Sequence, residues 1–254
     1  MLPAERRQLI VDLITEHGSA SVEQLMEATG ASSATIRRDL DRLASLGLVS
    51  RTHGGAVLPR NSTTYERLYP EKRNINTKEK QRIGRVAAQL VADGESLILD
   101  SGSTTLEVAK NLTGKKNLTI ITNDLFIATE IQYDPSTQVM VTGGALRPGF
   151  NVLYGSIAEA FLSSVNVDKV FLSGDAVDFE RGLTNATFDE AAIKKLMIRA
   201  GREVYLVVDH SKFGKVVMAK VADLRQFKSI ITDSKLSETD QRELKRLGIA
   251  YTMA

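Results

Sequence analysis

The chain has 254 residues, 43% hydrophobic and 25% charged, a composition typical of globular proteins and a length suited to one small and one medium domain. It contains no cysteine, and His17, His53 and His210 are scattered, so disulfides and thiolate metal sites are excluded and neither a metal site nor a cofactor is expected. No apolar run is long enough to cross a bilayer, and the opening MLPAERRQLI lacks the basic-then-apolar layout of a secretory signal. A cytoplasmic protein without membrane contact is therefore expected.

Charge alone says little about partners, because the net value is only +2. In residues 1–60, Arg6, Arg7, Arg37, Arg38, Arg42, Arg51 and Arg60 offset Glu5, Asp12, Glu16, Glu23, Glu27, Asp39 and Asp41. Any case for nucleic-acid binding rests on where the charges stand.

In chain order, residues 5–17 place Ile10, Leu13 and Ile14 at helical spacing, and His17-Gly18 closes the segment with a residue suited to a left-handed helix end. Ser21 suits the cap of a short second helix with Val22, Leu25 and Met26 inward, before Gly30-Ala31-Ser32 breaks the pattern. Ser33 or Ser32 then caps a third helix, in which Ile36, Leu40 and Leu43 share one face, ending at Leu46-Gly47. Residues 48–51 lead into Thr52-His53-Gly54-Gly55, and Ala56-Val57-Leu58 return as a paired strand, so this hairpin is the expected wing.

Residues 59–70 (PRNSTTYERLYP) are polar and proline-bounded, which reads as a linker. The expected organisation is a DNA-binding domain over 1–58, a linker over 59–75 and an α/β domain over 76–254. Beyond the linker, β-branched runs at 96–99, 118–121, 139–141, 170–172, 204–208 and 230–231 alternate with helical patterns. Such alternation predicts a mostly parallel sheet covered by helices.

In the third helix Thr35, Arg37, Arg38, Asp39, Asp41 and Arg42 lie off the apolar seam. A helix of this kind fits the major groove, where arginine reads guanine, while Ser32, Ser33 and the helix N-terminus hold phosphates. Arg51 and His53 on the wing would meet the neighbouring DNA backbone. Periodicity alone leaves a second reading open, in which the arginines pair with acids on a solvated face.

Residues 97–105 read as a strand, a small-residue turn (Asp100, Ser101, Gly102, Ser103) and a helix start (Thr104, Thr105). A turn of this kind aims backbone N–H groups at an anion, or is an ordinary capped turn. It lacks the lysine-plus-hydroxyl ending of a Walker loop. Thr122-Asn123, Thr142-Gly143-Gly144, Gly174-Asp175 and the 209–214 segment DHSKFG also fall where strands should end. Ligands of open α/β sheets bind at those ends, although each segment taken singly reads first as a turn.

ATIRRDLDRLASLGLVSRTHGGA, preceded by SASVEQLMEATGAS, closely resembles the signature of the DeoR family of bacterial transcription regulators over about the first 58 residues. The resemblance implies a winged helix-turn-helix that binds operator DNA, commonly as a repressor and as a homo-oligomer, dimer or tetramer. It makes Ser33, Thr35, Arg37, Arg38 and Arg42 the residues facing bases or phosphates.

DSGSTT, the ITN and TGG steps, Glu190 in TFDEAAIKK and DHSKFG resemble the family's effector domain, itself similar to ribose-5-phosphate isomerase. A phosphorylated sugar is the implied ligand, acting on a carbohydrate-catabolic operon. Asp100 to Thr105 would cradle phosphate, Lys212 would add charge, and Asp175 and Glu190 would meet sugar hydroxyls, with Asn123 and Gly144 completing the set. One departure is Ser173-Gly174-Asp175-Ala176-Val177-Asp178, where the family usually shows a GADG-like step. The alternative is a sugar-phosphate isomerase with a DNA-binding appendage, but the isomerase pattern DGADE is absent, so binding without turnover is expected.

Overall fold

The computed structural model describes residues 1–46, 48–57, 63 and 66–254. The predicted helix end at Gly47, the wing residue Leu58 and linker residues 59–62, 64 and 65 lie outside the described residues. The chain forms two compact units, Met1–Arg67 and Leu68–Ala254.

The first unit contains α1 (Pro3–His17), β1 (Ser19–Ser21), α2 (Val22–Thr29), α3 (Ser33–Ser45), β2 (Ser50–Arg51) and β3 (Gly55–Val57). Local chemistry sets the helix ends. Ser21 and Gln24 cap α2 reciprocally, the serine hydroxyl accepting from the Gln24 N–H and the Gln24 side chain accepting from the Ser21 N–H at 2.8 Å. Of the two serines predicted to cap α3, Ser32 does so, accepting from the Thr35 N–H. The apolar seam closes as Ile10, Ile14, Leu25, Ile36 and Leu40 reach 0% exposure.

The wing strands pair antiparallel, and β1 adds a third strand in the order β1-β3-β2. Three residues are too few to show strand periodicity, which is why β1 is not visible in the sequence. Gly55 is required here, since a Cβ on it would lie 2.2 Å from the Ala20 carbonyl oxygen.

The second unit begins inside the expected linker. Residues 69–74 form α4 (Tyr69–Asn74), with Tyr69 buried and stacked on Phe126 at 4.7 Å. Pro70 reads as a boundary in sequence, yet in the first turn of a helix its missing N–H costs nothing.

The following elements are α5 (Thr77–Gln89), β4 (Ser96–Leu99), α6 (Ser103–Lys110), β5 (Thr119–Thr122), α7 (Leu125–Glu130) and β6 (Gln138–Val141). A hairpin of β7 (Ala145–Arg147) and β8 (Val152–Tyr154) leads to α8 (Ser156–Ser163), β9 (Val167–Leu172), β10 (Ala176–Asp178), β11 (Gly182–Asn185) and α9 (Phe188–Ala200). The chain ends with β12 (Gly201–Val207), β13 (Ala219–Ala222), β14 (Ser229–Thr232), α10 (Glu238–Arg246) and β15 (Tyr251–Met253).

Seven strands build a parallel sheet in the order β15-β14-β12-β9-β4-β5-β6, while β10, β11 and β13 form a small antiparallel sheet. Both faces of the large sheet are buried, which explains its continuous apolar runs. Leu97, Leu99 and Val207 join one core with Ile83 and Leu106, whereas Ile98, Leu206 and Val170 join the other with Leu162 and Met197. From β4 the chain winds outward through β5 and β6, then returns to place β9 on the other side of β4. Connections leaving the carboxyl ends of β4 and β9 diverge, and that reversal opens a crevice suited to a ligand.

Candidate functional site

In the first unit, α3 buries Ile36, Leu40 and Leu43 and exposes Arg37, Arg38 and Arg42. The Arg37 Nε donates to the Ser33 hydroxyl at 3.3 Å and the Arg38 Nε to the Ala34 carbonyl at 3.4 Å, so both guanidiniums lie along the N-terminal half of the helix. Ser32 and Thr35 share a hydroxyl contact at 3.0 Å. His53 is exposed on the wing turn, and Arg51 pairs with Asp41 at 3.0 Å. Asp39 departs from its expected place on the polar face. It is 8% exposed and accepts from the Arg6 Nε at 2.6 Å, because this position of α3 turns toward α1. That pair locks the orientation of α3 against α1, a contact that helical spacing alone cannot disclose.

In the second unit the loop after β4 lies at the switch point. Gly102 opens α6, and a Cβ there would stand 2.2 Å from the Ser173 hydroxyl, so the β4 and β9 loops approach closely only with glycine. The Ser101 N–H donates to the Asn123 Oδ1 at 3.1 Å and the Gly102 N–H to Asp124 at 3.2 Å. The N–H groups of Ser103 and Thr104 follow in the first turn, which has no acceptor inside its own helix. Those two, with the helix dipole, form the anion-attracting end.

Several predicted contacts take a different role. Asp100 is fully buried, pairs with Lys194 and accepts from the Ser173 N–H at 2.9 Å, so this carboxylate ties the β4 and β9 loops together and does not face a phosphate. Thr105 is likewise fully buried, its hydroxyl donating to the Gly102 carbonyl at 2.8 Å. Asn123 is 1% exposed and uses both ends of its amide, on the Ser101 N–H and the Leu153 carbonyl. Gly144 has φ of 110° with the Tyr154 oxygen 2.4 Å from where a Cβ would stand, so it shapes the backbone. These four support the site; Ser103 and Thr104 are buried too, and of the two Ser103 lines the neighbouring cleft.

Lys80 stands beside this end, one of a group of cations of which the sequence reading named only Lys212. Lys80, on α5, donates to the Lys72 and Ile75 carbonyls and lines a cleft of about 180 Å³ with Ser103, Arg73 and Lys110. Lys72, on α4, bonds Asp175 at 2.8 Å, and Lys212, in the turn after β12, lies within electrostatic reach of Lys72, Asp175 and Asp209. Arg147 pairs with Glu190, which also accepts from the Asn185 side chain at 2.7 Å, and its guanidinium lies 3.8 Å from the Phe150 ring centre. Lys72 went unrecognised because its segment reads as linker. Lys194 stands four residues after Glu190 on the same helix but pairs with Asp100, a partner that helical spacing does not signal.

The clustered charges perturb one another. Burial, with the repulsion of Lys72 and Lys212, pushes the Lys80 ammonium down to about 8 despite Asp209 nearby. Burial likewise lowers Lys212, more than Asp209 and Asp175 raise it. For Asp175, burial acts to raise the pKa, but Lys72, Lys212 and the Ala186 N–H outweigh it and hold the carboxyl well below the usual range. Burial raises Asp124 to about 6, against the opposing N–H groups of Phe126, Ile127 and Gly102. Lys80, together with the N–H groups of the first turn of α6, gives this end of the cleft the character of an anion site.

A winged helix-turn-helix joined to a parallel α/β unit is the build of a transcription regulator with a separate sensor domain. The DeoR-like helix-turn-helix domain matches residues 6–62 and the DeoR C terminal sensor domain matches residues 75–234. This chain belongs to the DeoR family of transcriptional regulators.

Among its relatives, the HTH-type transcriptional regulator GlpR of Haloferax volcanii is 38% identical, over 98% of this chain and 97% of that protein. The Glycerol-3-phosphate regulon repressor of Escherichia coli is 33% identical over 92% of each chain. Of solved structures, ribose 5-phosphate isomerase A from Methanocaldococcus jannaschii aligns with a TM-score of 0.38 at 19% identity, over 54% of this chain and 55% of that one. A probable sor operon regulator from Shigella flexneri aligns with a TM-score of 0.44 at 12% identity, over 65% of this chain and 88% of that one. No helix among the described residues is long and apolar enough to cross a membrane.

Proposed function

We propose that the chain is a cytoplasmic repressor of a carbohydrate-catabolic operon, which binds its operator as a homo-oligomer and releases it when a phosphorylated sugar occupies the switch-point crevice. The observation that carries this reading is Lys80, buried beside Ser103 at the first turn of α6, with the cations Arg73 and Lys110 lining the same cleft. Ser103 and Thr104 hold the phosphate in this reading, Lys80 and Lys212 neutralise it, and Asp175 and Glu190 accept from sugar hydroxyls. Ser33, Thr35, Arg37, Arg38 and Arg42 face the operator, with Arg51 and His53 on its backbone. The name of the Escherichia coli relative, a regulon repressor, supports the direction of control.

Binding without turnover is favoured because relatives at 38% and 33% identity are named a transcriptional regulator and a regulon repressor. The effector weakens operator binding only if it prefers one subunit arrangement over another. Thermal melts with a panel of sugar phosphates test the sensor: phosphorylated sugars raise the melting temperature and the free sugars do not. Operator titrations with the same panel test the coupling, and unchanged DNA affinity with every member refutes it. Turnover of any sugar phosphate that is lost in Glu190→Ala establishes the isomerase instead.

A further inference from the structure

Two acids stand on α3 among its arginines, and the fold treats them oppositely. Asp39 is buried against Arg6, so its charge is spent inside the unit. Asp41 has a side chain 66% exposed and stands four residues after Arg37 and three after Arg38, on the same outward face. Its carboxylate reaches the wing, where it forms an ion pair with Arg51, 3.0 Å from the Nε; the Arg51 Nη1 donates to the Gly55 carbonyl at 3.4 Å. An exposed pair of this kind contributes little to stability, so its placement calls for another explanation.

We infer that Asp41 is a specificity-determining residue: it occupies the wing arginine Arg51 in the free chain and so weakens binding to DNA of the wrong sequence. This rests on the reading that the first unit grips duplex DNA.

Binding to random DNA is electrostatic and scales with the number of phosphates neutralised. Asp41 lowers that number by holding Arg51, and it adds a negative charge facing the phosphates. On the operator, base contacts from the N-terminal half of α3 offset the exchange of Asp41 for a phosphate at Arg51. On random DNA nothing offsets it. The same carboxylate therefore costs more on wrong sequences than on the right one, which widens the ratio between them.

The test uses the full chain and two duplexes, one selected from a random library by the wild-type protein and one a scrambled duplex of equal composition. Fluorescence anisotropy follows both between about 50 and 200 mM salt, the range over which phosphate contacts show their salt dependence. Asp41→Asn is expected to tighten scrambled-duplex binding about threefold to tenfold at the low-salt end and to steepen its salt slope by roughly one contact. The selected duplex gains less, and the ratio falls. Asp41→Glu, which keeps the charge, behaves as wild type, and adding Arg51→Ala to Asp41→Asn removes the gain.

Unchanged scrambled-duplex affinity and slope in a folded Asp41→Asn chain overturns the inference. So does equal weakening on both duplexes, which marks Asp41 as a support that positions Arg51. If the wild-type chain selects no duplex at all, the DNA reading itself fails and takes the inference with it, an outcome distinct from the other two.

Discussion

Replacing Lys194 by Met keeps most of the side-chain volume and deletes one buried charge. The Lys194 side chain is 3% exposed and that of its partner Asp100 is 1% exposed. The ammonium also donates to the Ser173 carbonyl at 3.1 Å, so the substitution strands a buried carboxylate and weakens the tie between the β4 and β9 loops. Removing one partner of so deeply buried a pair costs about 3–5 kcal/mol. For a unit of this size each kcal/mol lowers the melting temperature by roughly 2–4 °C, so a fall on the order of 6–20 °C is expected.

Asp100→Asn combined with Lys194→Met removes both charges and is expected to recover a large part of the loss, since no unpaired ion stays buried. Differential scanning calorimetry of the wild type, the two single variants and the double variant measures the coupling. A Lys194→Met chain that melts within about 2 °C of wild type, or a double variant no better than the worse single, refutes the account of a buried pair bridging the switch point.

Lys80 links pH to both binding and stability. Its folded pKa, about 8, lies below that of an ordinary lysine, so the burial penalty is fully present below about pH 8 and is relieved as pH rises toward roughly 10.4. Effector affinity should fall across that window while this contribution to stability improves, and Lys80→Met should flatten both trends in paired calorimetric titrations and melts. Asp39→Asn leaves the Arg6 guanidinium without its carboxylate and should cost about 1–3 kcal/mol in urea unfolding of the first unit, with weaker operator binding as α3 loses its lock. Arg38→Ala should cost roughly 1–3 kcal/mol on the operator but little on random DNA if Arg38 reads a base, and should weaken both evenly if it touches phosphate.

What could be read from the chain was whatever repeats over short distances. The apolar spacing of Ile36, Leu40 and Leu43, the capping serines and the runs at β4 and β9 are each specified within a dozen residues, so sequence alone determined the three helices of the first unit and most strands of the large sheet. The tertiary structure decided which polar groups meet. Arg6 finds Asp39 across 33 residues, Lys194 finds Asp100 across 94 and Lys72 finds Asp175 across 103. No local period encodes such separations, because each pair is brought together by the order of strands and helices. For that reason Asp100 looked like a ligand contact until its burial showed it to be a brace, and Lys72 looked like linker until α4 packed beside the sheet.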